Sequence, residues 1–238
     1  MSGHSKWANI AKRKGAQDAK KANIFTKLAR NIIIAAQKGP DPDMNFSLRL
    51  AIDKARAASM PKDNIDRAIA KATGGGDGAA IEAMLYEIFG PAGVAMIVEA
   101  TTDNKNRTTG EIKAILNKHG GTLAAPNAVK WMFRHLGVIR LVLAQIQDKD
   151  AFTMDLLDTG ADDVIEEDGG LTVYSSFENF EKVKKFIEDK KFAIDYAEVE
   201  WVAKDTVEKD EEATAQIEKL SGLLDDHDDV SGVYTNLK

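Results

Sequence analysis

The first 39 residues contain nine lysines and arginines and a single acidic residue, Asp18. On an ideal helix, four of these bases share one sector of about 80°, opposite the face that carries Phe25 and Ile32. The four are Lys20, Lys27, Arg30 and Lys38. A one-sided row of cations suits a phosphate backbone, because each neutralised phosphate releases counterions. The candidate nucleic-acid-binding residues are Lys6, Trp7, Lys12, Arg13, Lys14, Lys20, Lys21, Lys27, Arg30 and Lys38.

Trp7 lies among these bases, and its indole ring could stack on a nucleobase. The alternative is that Trp7 packs into a core and pins the N-terminal segment. For the cations, the alternative is that they only solubilise a helical surface. Both alternatives stay open at the level of sequence.

A second polar segment follows a predicted buried strand and precedes a predicted helix. In α/β sheets this is the position of ligand-binding loops. The possible second contact loop consists of Asp103, Asn104, Lys105, Asn106 and Arg107. The alternative is structural: Thr108 and Glu111 fit a capping box, and the Asp and Asn residues before them suit a turn.

Other chemistry is not indicated by the sequence. The four histidines are scattered without metal-ligand spacing, and the chain has no cysteine. The motifs of serine hydrolases, zinc proteases and P-loop nucleotide sites do not occur. The acidic stretch from Asp225 to Asp229 lacks the glycine and the distal glutamate of an EF-hand loop. We therefore expect no enzyme activity, no catalytic residue, no metal and no cofactor.

Charge is distributed unevenly along the chain. Residues 1–73 hold fifteen basic and six acidic residues, a net charge of +9, whereas the remainder holds seventeen basic and thirty-two acidic residues, a net charge of −15. The overall charge of −6 hides this division. A basic head on an acidic body indicates that one domain binds a polyanion.

The spacing of apolar residues predicts a helical N-terminal part. Ile24, Phe25, Leu28 and Ile32 recur at helical spacing between residues 21 and 38, and further helices are predicted at about 44–58 and from Pro61 to about residue 73. A glycine-rich run at 74–78 then marks a domain boundary.

Beyond that boundary the pattern changes to strands alternating with helices. Strands are predicted at 86–89, 93–100 and 129–133, with a helix from about Thr109 to Lys118. Residues 138–202 read as βαββαβ, which is the ferredoxin-like order. A final helix and strand cannot form a core alone, so we expect them to return to the sheet around residues 93–100.

The predicted fold class is therefore α+β: a helical N-terminal domain followed by two α/β domains, the last a ferredoxin-like insertion. The predicted domains are residues 1–76, residues 77–134 with 205–238, and residues 135–204. No apolar run approaches the length of a transmembrane helix, and the N-terminus lacks the apolar stretch of a secretory signal. We expect a cytoplasmic protein that does not use a membrane.

Several long blocks of the sequence resemble the signature blocks of the YebC/PmpR family. They occur in the family's order and are densest in residues 3–74 and 93–133. The blocks are Gly3-His4-Ser5-Lys6-Trp7-Ala8-Asn9-Ile10, Asp18-Ala19-Lys20-Lys21, Phe25-Thr26-Lys27-Leu28, Ala51-Ile52-Asp53-Lys54-Ala55-Arg56, Met60-Pro61-Lys62-Asp63-Asn64-Ile65 and Thr102-Asp103-Asn104-Lys105-Asn106-Arg107-Thr108.

The resemblance implies a three-domain protein and a role as a probable transcriptional regulator that binds DNA in the bacterial cytoplasm. The family's organellar relatives are described as translational activators, and bacterial members are linked to ribosomes stalled on proline-rich sequences. The family has no settled catalytic residues.

We therefore predict a non-enzymatic nucleic-acid-binding regulator of gene expression that acts on DNA in transcription. The first alternative is a translation factor that binds ribosomal RNA or the ribosome and relieves stalling, and the second is a small-molecule sensor built on the ferredoxin-like unit. The oligomeric state is left open.

Overall fold

The computed structural model describes residues 21–74, 80–142, 146, 148–167 and 169–238. The helices of this part are α1 (Lys21–Ala36), α2 (Phe46–Ala57), α3 (Lys62–Ala72), α4 (Lys105–Lys118), α5 (Lys149–Thr159), α6 (Phe177–Asp189) and α7 (Glu211–Asp225). The strands are β1 (Glu82–Phe89), β2 (Ala95–Thr102), β3 (Thr122–Leu123), β4 (Phe133–Val142), β5 (Ala161–Glu167), β6 (Gly170–Ser175), β7 (Ile194–Ala203) and β8 (Val230–Thr235). None of these helices is long and apolar enough to cross a membrane.

These elements form two compact units. One unit is Phe133–Lys204, and the other contains the described residues before Phe133 together with Asp205–Lys238. In this division the helical head and the first sheet belong to the same unit. The separation of residues 1–76 as a domain of their own stays a prediction.

The helical head forms because three amphipathic helices bury one shared face. Its core contains Leu28, Ile32, Leu48, Ile52 and Ile65, all at the predicted helical spacing. The side chain of Asn45 accepts the N–H of Leu48 at 3.1 Å and so caps α2. The sequence pattern placed Lys38 on a helical stripe of bases. Helix α1 ends at Ala36, so Lys38 lies beyond the helix and this part of the prediction is wrong.

The first sheet has the strand order β3-β1-β2-β8 and is antiparallel. Strand β8 pairs with β2 from Thr235 opposite Met96 to Val230 opposite Ala100, so the last strand returns to this sheet as predicted. Helices α4 and α7 cover one face, where they bury an apolar core. This core includes Ile88, Met96, Val98, Ile112, Leu116, Leu220 and Leu224.

The second sheet has the order β5-β6-β4-β7 and is also antiparallel. Its chain order β4-α5-β5-β6-α6-β7 is the βαββαβ arrangement that the sequence predicts. Gly169 joins β5 to β6 with a φ of +71°, a left-handed conformation that glycine adopts without strain. The α+β fold class, with a ferredoxin-like insertion, is confirmed.

The strand predicted at 129–133 is wrong. Residues Lys130–Met132 form a short 3-10 turn, and β4 begins only at Phe133. The reason is tertiary: the carboxylate of Glu87 binds the backbone N–H groups of Val129 and Lys130, which turns the chain there.

Packing between α6 and β4 in the ferredoxin-like unit requires a glycine at position 137. A Cβ at this position would lie 2.3 Å from Cδ2 of the fully buried Phe180. We predict that Gly137→Ala lowers the free energy of unfolding by about 1–3 kcal/mol, the usual cost of overpacking. Urea unfolding followed by circular dichroism measures the change.

The matched control is Gly110→Ala in α4, where a Cβ meets no described atom within 4 Å. Because alanine favours a helix over glycine, this variant should be as stable as the wild type or more stable by up to about 1 kcal/mol. Equal stability of the two variants would contradict the packing explanation.

Candidate nucleic-acid interface

Asp229 is a buried carboxylate in the turn between α7 and β8, and it is only 2% exposed. It accepts hydrogen bonds from Nη1 of Arg30 on α1, from Nη2 of Arg107 on α4 at 2.9 Å, and from Oγ1 of Thr108 at 2.6 Å. Its backbone carbonyl accepts the N–H of Thr101 at 2.7 Å. One residue therefore joins the basic helix, the predicted second contact segment and the end of β2.

The donors around Asp229 keep it ionised. Burial alone would raise the pKa of its carboxyl group, but the hydrogen bonds from Thr108 and Arg107 and the charge of Arg30 outweigh burial and lower this pKa to about 2. The carboxylate is therefore charged throughout the physiological pH range, and its charge balances one of the two guanidinium groups.

The predicted capping box at Thr108 and Glu111 is wrong. Helix α4 begins at Lys105, and its N-cap is Asn104, whose side chain accepts the N–H of Arg107 at 3.1 Å. Thr108 lies inside the first turn, where it is fully buried and donates to Asp229. Asparagine is a strong N-cap, so the helix starts four residues earlier than predicted.

The possible second contact loop is therefore the N-cap and first turn of a helix. Arg107 bonds Asp103 at 3.0 Å as well as Asp229, and Lys105 pairs with Glu82 at 2.5 Å. The side chain of Asn106 is exposed. These contacts give most of the segment a structural role, and whether it also contacts a nucleic acid stays a prediction.

Among the described members of the predicted basic array, Lys27 and Arg30 make contacts within the chain. Lys27 donates to the backbone carbonyl of Asp225 at 2.5 Å, and Arg30 contacts Asp228 as well as Asp229. Lys38 is exposed after the end of α1, and Lys21 lies in the first turn of that helix. The other candidates, Lys6, Trp7, Lys12, Arg13, Lys14 and Lys20, lie outside the described residues.

A cleft of about 540 Å³ between α1 and α3 contains polar residues that were not predicted as site residues. Its floor is apolar and includes Ile33 and Ala68. Asn64, Arg67 and Lys71 line it from α3, and Arg30 and Asp103 also line it. Asn64, Arg67 and Lys71 are three and four residues apart, so they share one face of the helix. This spacing is visible in the sequence and could have identified the cationic wall.

Glu111, His227 and Asp229 bring ligand-type atoms within 4.8 Å of one another. Nδ1 of His227 accepts the N–H of Asp229 at 3.1 Å, so in the neutral ring Nε2 carries the proton and donates it to Glu111 at 2.9 Å. Arg30 and Arg107 place positive charge beside the same carboxylate. The protein's own donors therefore account for this cluster as a hydrogen-bond network.

We predict that Asp229→Asn lowers the free energy of unfolding at pH 7 by about 2 kcal/mol, from the lowered pKa of this carboxyl group. A depressed pKa stabilises the fold above the ordinary value of 3.8, and this stabilisation is lost as the pH falls through about 2. The difference between wild type and variant should therefore shrink between about pH 4 and pH 2, as measured by urea unfolding.

The control for this experiment is Asp103→Asn. Asp103 also bonds Arg107, but it is exposed, so its charge should contribute less than about 0.5 kcal/mol. A pH-independent difference for Asp229→Asn would show that the carboxylate charge is not what stabilises the turn.

Comparison with known proteins extends over nearly the whole chain. Residues 5–75 match the model of the TACO1/YebC protein N-terminal domain, and residues 81–237 match that of the TACO1/YebC second and third domain. A probable transcriptional regulatory protein of Thermoanaerobacter pseudethanolicus is 46% identical, covering 100% of this chain and 97% of the relative. The probable transcriptional regulatory protein YrbC of Bacillus subtilis is 44% identical, and the match covers 100% of both chains.

A solved structure has the same fold. The crystal structure of the conserved hypothetical protein Aq1575 from Aquifex aeolicus matches with a TM-score of 0.82 and 37% sequence identity, covering 93% of this chain and 91% of that one. The resemblance seen in the signature blocks is confirmed by the two family models and by these full-length relatives. This chain is a member of the TACO1/YebC family.

Proposed function

We propose that this protein is a non-enzymatic regulator of gene expression that binds DNA in the cytoplasm through its helical head. The observation that carries the proposal is the separation of charge, with +9 in residues 1–73 and −15 in the rest of the chain. Phosphate backbones attract the first part and are repelled by the second. The names of the curated relatives, probable transcriptional regulatory proteins, support a regulatory role rather than an enzymatic one.

The described basic residues of the head differ in their surroundings. Arg30 and Lys27 face the acidic turn at residues 225–229, where phosphates would meet negative charge. Arg67 and Lys71 are exposed on α3, and Lys38 is exposed after α1. We therefore propose that the cleft between α1 and α3 contributes phosphate contacts, together with the basic residues before residue 21.

The proposal is tested by measuring the affinity of the full-length protein for duplex DNA, structured RNA and intact ribosomes over a series of salt concentrations. We expect duplex DNA to bind, with the logarithm of the association constant falling linearly with the logarithm of salt concentration. Tighter binding to RNA or ribosomes at matched salt would instead support the translation factor. Failure to bind any of the three would overturn the proposal.

We further predict that replacing both Arg67 and Lys71 with Gln weakens DNA binding and makes the salt slope shallower by about 2, one for each lost phosphate contact. Glutamine retains good helix propensity, and both side chains are exposed, so thermal stability should stay within about 0.5 kcal/mol per substitution. Fluorescence anisotropy with a labelled duplex measures the binding.

The matched control replaces Lys182 and Lys185 with Gln. These lysines are exposed on α6 of the ferredoxin-like unit, so the double variant removes the same charge from outside the head. It should leave the salt slope unchanged. Equal weakening by both pairs would indicate an effect of net charge rather than of the cleft.

A further inference from the structure

Trp131 is held at the surface with 65% of its area exposed. Tryptophan offers a large apolar area, and burying it normally stabilises a fold. The other described tryptophan, Trp201, is partly covered and stacks on His135, with the ring centroids 4.6 Å apart. The exposure of Trp131 is therefore a feature that folding alone does not explain.

The ring of Trp131 is hydrogen-bonded to the backbone of its own turn. Its indole Nε1–H donates to the carbonyl of Ala128 at 3.0 Å, and the N–H of Met132 donates to the carbonyl of Val129 at 2.9 Å. The side chain thus belongs to a closed 3-10 turn. A partner that stacks on this ring would not have to immobilise a flexible side chain, which is a common cost of binding.

The turn itself is organised by a buried carboxylate. Glu87, which is 8% exposed, accepts the backbone N–H groups of Asn127 at 2.6 Å, Val129 at 2.7 Å and Lys130 at 2.7 Å. Burial acts to raise the pKa of Glu87, but the three N–H bonds outweigh it and lower this pKa below its ordinary value. A charged group is therefore kept inside the protein to hold this turn.

The two segments that Glu87 joins each carry an exposed side chain suited to a nucleic acid. Phe89 is 39% exposed and lies two residues after Glu87 on β1, so both project from the same face of the strand. Lys130 is exposed beside Trp131. Between Glu111 and Asp148 the sequence contains no acidic residue, although the chain after residue 73 has a net charge of −15.

We propose that Trp131, with Phe89 and Lys130, forms a stacking site for an unpaired base of a single-stranded nucleic acid. Every nucleobase presents a π-face, so stacking on an aromatic ring tolerates any sequence, and a neighbouring lysine attracts the phosphate. This site is separate from the phosphate contacts of the helical head, but it rests on the proposed function, because it assumes that a nucleic acid is the partner.

The test compares Trp131→Ala and Trp131→Phe with the wild-type full-length protein. The probes are a thymidine homopolymer, a uridine homopolymer and an abasic strand of the same length and charge. We expect Trp131→Ala to bind the homopolymers about tenfold more weakly and the abasic strand equally well, with an unchanged salt slope, because a stacking contact is lost and no phosphate contact is. Trp131→Phe keeps an aromatic ring and should retain most of the affinity.

Met154→Ala is the matched control, since Met154 is also an exposed apolar side chain, on α5 of the ferredoxin-like unit, and its loss should change no affinity.

In a protein carrying Trp7→Phe and Trp201→Phe, the homopolymers should quench the fluorescence of Trp131 and the abasic strand should not. If the wild type binds the homopolymers and Trp131→Ala binds them equally well, the stacking site is overturned while the proposed function stands. If the wild type binds no nucleic acid at all, both are overturned.

Discussion

The unit that contains the helical head depends on one buried carboxylate, that of Asp229. A carboxylate removed from water is stable only when donors replace its hydration. Here the donors come from Arg30 in the head and from Arg107 and Thr108 at the start of α4, while the backbone of Asp229 binds Thr101 at the end of β2. Satisfying this single charge holds four elements of the chain in one arrangement.

This constraint changes how the positive charge of the head is divided. A guanidinium that pairs with Asp229 contributes less to the external field than an exposed one. Arg30 is used in this way, and Lys27 is bound to a backbone carbonyl, so α1 directs part of its charge inward. Exposed basic residues of the described head lie on α2 and α3 and after α1, and include Lys54, Lys71 and Lys38.

Glu87 is a second buried carboxylate in this unit, and its charge is also stabilised by hydrogen-bond donors. Its buried carboxylate accepts hydrogen bonds from three backbone N–H groups. Hydrogen bonds of this kind to a charged acceptor are stronger than neutral ones, so they impose a conformation on the segment that donates them. The result is a turn that exposes Trp131. One buried anion therefore fixes the position of elements, and the other fixes the shape of a loop.

Periodicity in the sequence determined the helices of the head and the βαββαβ order, because apolar spacing such as that of Phe25, Leu28 and Ile32 is a local property. The basic head and the acidic body could also be predicted from the sequence, because net charge requires only a count of basic and acidic residues. The tertiary structure decided the pairing of Arg30 with Asp229, since the two residues are 199 positions apart and no local rule relates them. It likewise decided the role of Thr108, which lies buried in the first turn of α4 and donates to Asp229. The apolar run before Phe133 became a turn for the same reason: the deciding carboxylate, Glu87, comes from a distant strand.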